Sequence, residues 1–371
     1  MNLTWIEISK SALKNNVAQI KKRLRKNTKY MAVVKSNAYG HGLLNVVGAI
    51  KNNVDAFAVY DFSDALFLRK NKITKPLLTL GRVFPQHVAL AIKNNIELSV
   101  SNLDILENAQ KISGKKKLII HLCVDTGLGR DGFTLSDMKK VLPLLQSQKI
   151  EVRGLYTHFA SADDSAFDAY SKKQIDELLL WKKALAEIGL QPLVHASATS
   201  GTFFSECESH FDLVRIGIGN YGLWPSKEVE KRCATQTKLI PVLAWKAMVV
   251  ELKALPKGSH ISYGCSFTLQ RDSKIAILPV GYFDGISRVS SKKGWVIINK
   301  IKVPQLGRVT MNMIIIDATD VKKIKVGDIA TVIGEDGDEV VSAQDWGDWS
   351  ETSNYEIVTR LSASLVRKVI S

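Results

Sequence analysis

The sequence predicts an α/β fold in which an N-terminal (β/α)8 TIM barrel is followed by a mainly β C-terminal domain. Three observations lead to this prediction. Eight short apolar runs without polar alternation recur through the first 220 residues, which is typical of parallel strands buried on both faces. Segments with the apolar spacing of helices separate most of these runs. Beyond Pro225 the pattern changes, and β-rich segments follow one another without long helices.

The eight apolar runs are the predicted barrel strands. In chain order they are 31–35, 56–60, 76–81, 96–100, 117–124, 152–158, 193–197 and 213–217. Residues 9–26 carry Leu13, Val17 and Ile20 three or four positions apart, which predicts an amphipathic helix, and 166–188 is another strongly helical stretch. An open doubly wound sheet is the alternative, but no Gly-x-Gly-x-x-Gly motif follows the first strand. The pattern therefore favours the barrel.

The second half of the chain has a different organisation. A charged stretch over 226–238 separates two predicted domains, residues 1–230 and 231–371. The β-rich segments of the second domain are 242–255, 274–279, 295–304, 313–317 and 329–334. Short strands without intervening helices indicate a mainly antiparallel sheet. We expect a terminal helix over 354–370 to close the chain.

The composition is that of a globular protein, and 371 residues are more than one ordinary core requires. No apolar run reaches the about 18 residues that a membrane-spanning helix needs, and the N-terminus lacks the pattern of a secretory signal. We therefore expect a cytoplasmic protein without membrane association. The net charge of +15 can mark a nucleic-acid binder, but the basic residues are scattered and only 21–29 is locally dense. We expect no nucleic-acid partner.

The cysteine and histidine patterns predict no metal site. The cysteines stand at 123, 207, 233 and 265, and their spacing matches neither a zinc site nor a disulfide framework. The seven histidines include no His-Glu-x-x-His motif. The thiols are expected to be reduced and mostly packed.

Polar residues gather where the predicted barrel strands end. The residues at or just after these strand ends are Lys35, Arg130, His158, Thr199 and Arg215. In barrels of this kind the catalytic residues lie at the C-terminal ends of the strands, which form one mouth. We therefore expect a lysine, two arginines, a histidine and several hydroxyls to converge there.

Lys35 and the last two strand-end loops together indicate a cofactor. A lysine desolvated at a barrel mouth loses proton affinity and becomes a usable nucleophile and base. Residues 199–202 and 217–219 offer hydroxyls and backbone N–H groups of the kind that bind phosphate. A lysine and a phosphate site at one mouth indicate a Schiff-base cofactor. An ordinary surface lysine is the alternative, disfavoured because an apolar strand ends directly in Lys35 before a glycine-rich loop.

The run 34–42 (VKSNAYGHG) resembles the pyridoxal-phosphate attachment motif of alanine racemases, which are fold type III pyridoxal-phosphate enzymes. The resemblance covers nearly the whole chain in the order and spacing of the family. It continues through 124–130, 157–160, 195–197, 214–218, 261–264, 279–282, 307–311 and 354–356.

The resemblance implies an activity and an assembly. The enzyme would racemise L-alanine to D-alanine by a two-base mechanism and supply D-alanine for cell-wall peptidoglycan. Lys35 would form the internal aldimine with pyridoxal 5′-phosphate and serve as the base for one antipode. Tyr263, supplied by the second domain of a partner subunit in a homodimer, would serve for the other. Two proton carriers on opposite faces avoid turning the substrate over.

The resemblance also implies the binding residues. Arg215 would hydrogen-bond the pyridine nitrogen, steadied by His195, and His158 would lie along the ring. The residues that would hold the phosphate are Tyr39, Thr199, Gly217 and Ile218. The residues around the substrate would be Arg130 and the Met311 backbone at its carboxylate, and Tyr282 at the wall of the access path.

Four positions depart from the family pattern. Cys123 stands where the family commonly has a lysine, sometimes carbamylated, and cysteine cannot form that carbamate, so Arg130 would be held otherwise, for example by an anion. Asn312 stands where Asp is usual, and Ala198 where many members have Asn. Ala363 replaces a tyrosine that contacts the phosphate and crowds the substrate methyl. A larger pocket would follow, so a racemase of broader specificity, accepting serine or a basic amino acid, is an alternative.

Two further classes of protein remain as alternatives. A single-domain, non-catalytic pyridoxal-phosphate homeostasis protein would share the barrel and the lysine, but the second domain with residues 261–264 argues against it. A fold-related decarboxylase would need an acidic partner at the pyridine nitrogen, and Arg215 disfavours that reading.

Overall fold

The computed structural model describes residues 2–111, 114–164, 166, 168–204 and 208–371. Cys207, one of the four cysteines, lies outside these described residues. The chain divides into two compact units. We call them the barrel unit, which comprises Leu13–Ser36 and Val47–Ile240, and the β unit, which comprises the chain up to Ala12, Asn37–Val46 and Pro241–Ser371.

The strands are numbered along the chain. They are β1 (Thr4–Ser9), β2 (Lys29–Val33), β3 (Ala56–Val59), β4 (Leu77–Thr79), β5 (Glu97–Val100), β6 (Leu118–Cys123), β7 (Ile150–Tyr156), β8 (Leu193–His195), β9 (Leu213–Ile216), β10 (Leu243–Met248), β11 (Glu251–Leu255), β12 (His260–Ile261), β13 (Phe267–Thr268), β14 (Ser273–Leu278), β15 (Trp295–Ile298), β16 (Ile301–Leu306), β17 (Ile314–Asp317), β18 (Ile329–Asp336), β19 (Glu339–Val341) and β20 (Val366–Ile370).

The α-helices are numbered in the same way. They are α1 (Lys10–Lys21), α2 (Lys35–Tyr39), α3 (Leu43–Ile50), α4 (Phe62–Lys70), α5 (Val88–Asn94), α6 (Leu103–Ala109), α7 (Met138–Leu145), α8 (Asp168–Glu187), α9 (Thr199–Phe204), α10 (Lys227–Cys233), α11 (Ala343–Trp349) and α12 (Asn354–Thr359).

The barrel unit is built on eight parallel strands, β2 to β9, in the order β8-β7-β6-β5-β4-β3-β2-β9. Each predicted apolar run overlaps one of them, so the predicted (β/α)8 barrel is confirmed. Between the two outer strands, the Arg215 N–H donates to the Ser197 carbonyl at 2.9 Å and the Asp212 N–H to the Val194 carbonyl at 3.0 Å. These bonds continue the ring across its seam.

The predicted helices pack as their apolar spacing requires. In α1, which falls within the predicted 9–26 segment, Leu13 and Ile20 are fully buried and Val17 is 1% exposed. The long helix α8 falls within the predicted 166–188 segment and buries Leu178, Trp181 and Leu185. Since these residues recur every three or four positions, they form one apolar face of each helix.

The β unit contains a ten-stranded sheet with the main order β11-β14-β17-β16-β15-β18-β10-β1-β20, and β19 joins it through β18. A separate pair is formed by β12 and β13. The predicted mainly β domain is confirmed, but the sheet also includes β1 from the start of the chain, which pairs with β10 antiparallel and with β20 parallel. A single domain boundary at residue 230 therefore does not describe the units, because the chain up to Ala12 and Asn37–Val46 also belong to the β unit.

The predicted terminal helix over 354–370 is wrong beyond its first turns. Helix α12 ends at Thr359, and the chain finishes in β20, which pairs with β1 from Trp5–Val366 to Ser9–Ile370. The β-branched residues Val366, Val369 and Ile370 favour an extended backbone. The partner strand β1, distant in sequence, supplies the hydrogen bonds that decide the outcome.

The backbone after Lys35 forms an unusual turn. Ser36, Asn37, Ala38 and Tyr39 in α2 all have φ between 51° and 54°, so this short helix is left-handed. A left-handed helical residue other than glycine costs roughly 1–2 kcal/mol. Contacts within the β unit hold the end of the turn, where the Arg367 Nε–H donates to the Gly40 carbonyl at 2.8 Å.

Gly40 is predicted to be essential for this turn. Its φ is +80°, and a Cβ at this position would lie 1.9 Å from the Val358 carbonyl oxygen, which is backbone and cannot rotate away. Gly40→Ala should therefore lower the free energy of unfolding by about 2 kcal/mol or more, measured by denaturant unfolding. Gly258→Ala is the matched control, because Gly258 has φ +88° in the same unit but no neighbour within 4 Å of the added Cβ. Equal losses in the two variants would contradict the steric argument.

Candidate active site

The centre of the barrel mouth is the Arg215 guanidinium, which β9 carries in a position only 3% exposed. One terminal nitrogen donates to His195 Nδ1 at 2.8 Å and to the His195 carbonyl at 3.1 Å. The other donates to the carbonyls of Thr157 at 2.7 Å and Ala196 at 2.9 Å, and to His158 Nδ1 at 3.1 Å. Within the described part of the chain, the Nε–H makes no hydrogen bond. Burial lowers the pKa of Arg215 to about 10, so it remains a cation at neutral pH.

The two histidines beside Arg215 are neutral. Burial, followed by the charge of Arg215, lowers the pKa of His195 well below its ordinary value. The pKa of His158 falls to about 3, through burial and then the charges of Arg215, Arg130 and Lys35. A neutral imidazole nitrogen can accept a hydrogen bond from a guanidinium, whereas a protonated one cannot. Burial and the charge of Arg215 therefore together keep both histidines neutral.

Lys35 follows β2 and is half-buried. Burial lowers the pKa of its amine, and the charge of Arg130 lowers it further. Its Nζ makes no hydrogen bond or ion pair among the residues that the structure describes. An amine with a depressed pKa and no partner has the properties of a nucleophile and a base.

Arg130 is close enough to this amine for its charge to lower the amine pKa, and Arg130 also acts on the Cys123 thiol. The Arg130 side chain is 63% exposed, and its ion pair is a long one of 4.0 Å to Asp131. Burial raises the pKa of the Cys123 thiol to about 11, so the thiol stays neutral. Its Sγ lies 3.7 Å from the Asp131 carbonyl oxygen. The guanidinium of Arg130, exposed and only loosely paired with Asp131, is therefore accessible to a carboxylate.

A second line of polar residues extends from Arg215 into the barrel. The His195 ring contacts His121, with His195 Nε2 and His121 Nδ1 at 2.8 Å. His121 Nε2 lies 2.9 Å from Glu97 Oε2, and the Arg153 guanidinium lies 2.5 Å from Glu97 Oε1. Tyr156 stacks on the His195 ring with centroids 4.9 Å apart. Sequence reasoning missed Glu97, His121 and Tyr156, although Glu97 and His121 are polar exceptions inside predicted apolar strands.

The loops after β8 and β9 meet at Thr199. Thr199 Oγ1 accepts hydrogen bonds from the Gly217 N–H at 3.3 Å and the Gly219 N–H at 3.4 Å. A Cβ on Gly219 would lie 3.0 Å from Thr199 Cγ2 and from Ile20 Cδ1, so a larger residue there would require these side chains to shift. Ile218, between the two glycines, is 1% exposed. Backbone N–H groups that converge on one hydroxyl can instead bind a phosphate oxygen.

The β unit carries the other predicted residues. Tyr39 is buried, its ring centroid lies 6.3 Å from that of Tyr355, and burial raises the pKa of Tyr39 to about 12. Tyr263 is 70% exposed, at the start of a short 3-10 helix. The Ser262 hydroxyl before it donates to the Arg308 carbonyl at 2.8 Å.

Tyr282 and Met311 lie on adjoining segments of the β unit. The Tyr282 N–H donates to the Thr310 carbonyl, and the Phe283 N–H to the Met311 carbonyl, both at 3.0 Å. Tyr282, Phe283 and Met311 are all exposed. These side chains therefore form an accessible surface on the segments next to Arg308.

The structure also shows the surroundings of three positions at which the sequence departs from the family pattern. Ala363 is exposed in the turn between α12 and β20, and Asn312 is exposed. The Ala198 carbonyl accepts a hydrogen bond from the Thr202 hydroxyl at 2.8 Å. Among the described residues, no three His, Cys, Asp or Glu side chains form a group that could hold a metal ion. No helix in the same part of the chain is long and apolar enough to cross a bilayer.

Relatives with known sequences resemble the chain over its whole length. Alanine racemase from Methanococcus maripaludis is 39% identical over 369 residues, covering 98% of this chain and 97% of that protein. Alanine racemase from Leptospira interrogans is 36% identical over 385 residues, covering 99% and 96%.

Solved structures agree with these sequences. The structure of alanine racemase from Bacillus anthracis with bound L-Ala-P matches with a TM-score of 0.92 at 34% identity, covering 100% of this chain and 96% of that chain. Alanine racemase from Clostridium difficile 630 matches with a TM-score of 0.92 at 30% identity and the same coverage.

Both parts of the chain match family models. The model of the alanine racemase N-terminal domain covers residues 8–225, and that of the C-terminal domain covers residues 242–369. The second match excludes the single-domain homeostasis protein that the sequence left as an alternative. The chain therefore belongs to the alanine racemase family of isomerases.

Proposed function

We propose that the protein interconverts L-alanine and D-alanine with pyridoxal 5′-phosphate, using Lys35 and Tyr263 as the two proton carriers. The observation that carries this proposal is the half-buried, partnerless amine of Lys35, with its lowered pKa, in the barrel that also buries Arg215. We further propose that the protein acts in the cytoplasm and that its D-alanine serves cell-wall peptidoglycan.

The barrel residues suit the proposed cofactor. When bound, pyridoxal phosphate supplies the electron sink that makes the substrate α-proton acidic. The open Nε–H of Arg215 is a donor for a ring nitrogen, and a pKa of about 10 means that Arg215 keeps its proton at neutral pH. The N–H groups of Gly217 and Gly219, now bonded to Thr199, are suited to a phosphate. Ile218 and Tyr39 would complete that phosphate site, and His158 would lie along the ring.

Racemisation requires a proton to leave one face of the α-carbon and another to arrive on the opposite face. Lys35 Nζ would take and return the proton on one face. The partner subunit's Tyr263 would do so on the other face, in a homodimer with shared active sites to which the β-rich part (231–371) of each chain contributes. The high exposure of Tyr263, together with the exposed apolar residues Tyr282, Phe283, Met311 and Met313, supports an outward-facing role. Arg130 and the Met311 backbone would hold the substrate carboxylate, and Tyr282 would wall the access path.

Replacement of the amine tests the proposal most directly. Borohydride reduces the C=N bond that joins an aldehyde to a lysine amine and leaves a stable secondary amine, so mass spectrometry should find reduced cofactor on the peptide that contains Lys35. Lys35→Ala should lose this adduct and all measurable D-alanine formation. Lys29→Ala is the matched control, because Lys29 is an exposed lysine at the start of β2. Failure to find this adduct in the wild-type protein would contradict the proposal.

The role proposed for Tyr263 can be tested separately from that of Lys35. Tyr263→Phe should lower the racemisation rate by about 10²–10⁴-fold, since this is the usual contribution of a general acid or base. Lys35 would still exchange the α-proton of the enantiomer that it faces, so deuterium from D2O should enter one enantiomer without inversion. NMR of each pure enantiomer measures this exchange, and Tyr60→Phe serves as a control, because Tyr60 is an exposed tyrosine with no proposed role in the site. Equal loss of exchange for both enantiomers would contradict separate carriers.

A second candidate is a racemase of broader specificity. Ala363 is exposed, and if it lines the pocket at the position where the family pattern has a tyrosine, no phenol would restrict the substrate there. Wild-type protein should then accept serine or a basic amino acid besides alanine in a panel followed by chiral chromatography. Ala363→Tyr should lower kcat/KM for these larger substrates at least about tenfold relative to alanine, with Ser364→Tyr as the neighbouring control. Strict alanine preference in the wild type would count against this candidate.

A further inference from the structure

Four side chains form a continuous hydrogen-bonded line inside the barrel. Arg215 on β9 contacts His195 on β8, His195 contacts His121 on β6, and His121 contacts Glu97 on β5, with distances of 2.8, 2.8 and 2.9 Å. Arg215, His195, His121 and Glu97 are each no more than 3% exposed. Barrel interiors are usually filled by branched apolar residues, so a buried polar line of this length needs a reason.

Strand β7, which lies between the strands of His121 and His195, leaves room for the two rings to meet. In sheet order β7 lies between β6 and β8, so a side chain from β7 would separate His121 from His195. At that point β7 has Gly154, and a Cβ there would lie 2.1 Å from His121 Nδ1. The register shifts so that Ile120 faces Val152 while His121 faces Gly154, which leaves Arg153 as a bulged residue. The bulge thus aligns the glycine with His121 and leaves Arg153 to bond Glu97.

The two ends of the line determine the direction of every hydrogen bond in it. A guanidinium only donates and an ionised carboxylate only accepts. Arg215 therefore requires a lone pair on His195 Nδ1, which puts the His195 proton on Nε2. That proton requires a lone pair on His121 Nδ1, and the His121 proton then lies on Nε2 and is donated to Glu97. Reversing the line would set two N–H groups against each other at Arg215 and two lone pairs against each other at Glu97.

The charge of Glu97 is maintained by its neighbours. Burial by itself raises the pKa of the Glu97 carboxyl, but the hydrogen bond from His121 and the charge of Arg153 lower it below its ordinary value overall. Arg153 is 35% exposed and also bonds Glu151 at 2.7 Å, so the line ends in an ion pair that reaches solvent. A buried carboxylate is weak evidence for stability, because its desolvation costs about as much as its ion pair returns. A role in orientation explains its presence better.

We propose that Glu97 and His121 are positioning residues, which fix the tautomer of His195 and through it the orientation of Arg215 toward the cofactor ring. Neither residue touches the cofactor in this scheme. Glu97 acts as the acceptor that sets the direction of the line, and Gly154 provides the space for it. The inference rests on the proposed function, because Arg215 has a ring to orient only if pyridoxal phosphate binds.

The variant that tests the direction is Glu97→Gln. The glutamine has nearly the same shape, but its amide can also donate to His121 Nε2, so the reverse order of protons becomes available. His195 would then carry a proton on Nδ1 facing Arg215, and their hydrogen bond would be lost. Glu151→Gln is the matched control, since it removes the other carboxylate of the same arginine without touching His121.

Nitrogen-15 NMR of histidine-labelled protein without added cofactor reads the tautomers directly. In the wild type and in Glu151→Gln, His195 and His121 should both carry their protons on Nε2. In Glu97→Gln, at least one should change tautomer or exchange between the two. If Glu97→Gln does not accumulate as folded protein, the wild-type spectrum still decides, because an Nδ1 proton on His195 would overturn the proposal. Unchanged tautomers in a folded Glu97→Gln would also overturn it.

Loading with pyridoxal phosphate gives the functional readouts. Glu97→Gln should lower kcat at least about tenfold with a smaller change in KM, as loss of an outer hydrogen-bonding partner commonly does. The visible absorption band of the bound cofactor and its pH dependence should shift in Glu97→Gln but not in Glu151→Gln. A wild type that fails to bind pyridoxal phosphate would defeat the proposed function and leave the tautomer result standing. A wild type that binds, with Glu97→Gln unchanged in band and kcat, would defeat only this inference.

Discussion

The structure of the site depends on one buried cation. Arg215 is almost fully enclosed, and all of its acceptors are neutral carbonyl oxygens or imidazole nitrogens. Burying a charge without acceptors would cost several kcal/mol, and these five acceptors serve the four hydrogens of the two terminal nitrogens. Because the guanidinium cannot accept, it demands lone pairs from His195 and His158. The protonation states of two histidines thus follow from the position of one arginine.

The need for hydrogen-bond partners extends from Arg215 into the barrel interior, where apolar side chains could not supply them. Once His195 must present a lone pair to Arg215, its remaining proton needs an acceptor in the interior. His121 supplies that acceptor, and its own proton in turn needs Glu97. Gly154 and the bulge at Arg153 are the backbone changes that let these side chains meet. One side of the barrel is therefore polar, while β3 on another side is made of four buried apolar residues.

Much of the fold is encoded in short segments of the sequence, and those elements could be predicted. Each barrel strand is a short apolar run, so the eight runs predict the eight strands without knowledge of their partners. The prediction of a terminal helix was wrong because the conformation of residues 366–370 is determined by pairing with β1, more than three hundred positions away. For the site, the strand-end rule identifies Lys35 and Arg215 from sequence. It does not identify Glu97 and His121, because their roles depend on contacts between residues distant in sequence. Glu97 and His121 are 24 positions apart, and His121 and His195 are 74 positions apart.

The turn after Lys35 is the clearest case of tertiary structure overriding local preference. Ser36, Ala38 and Tyr39 disfavour a left-handed backbone, and only Asn37 and Gly40 tolerate it well. Such strain persists only where the surroundings over-determine it. Here the Asn37 side chain accepts from the Leu43 N–H at 2.9 Å, and the Gly40 carbonyl accepts from Arg367.

The end of this turn, at Gly40, is therefore held by a contact from the last strand of the protein. A lysine side chain has four rotatable bonds, and its amine samples many positions unless the backbone that carries it is held in one conformation. A group that both forms a bond and moves a proton needs that restriction, because both steps depend on close approach in a defined direction. The strain in residues 36–39, which directly follow Lys35 in the sequence, is thus offset by contacts formed within the β unit.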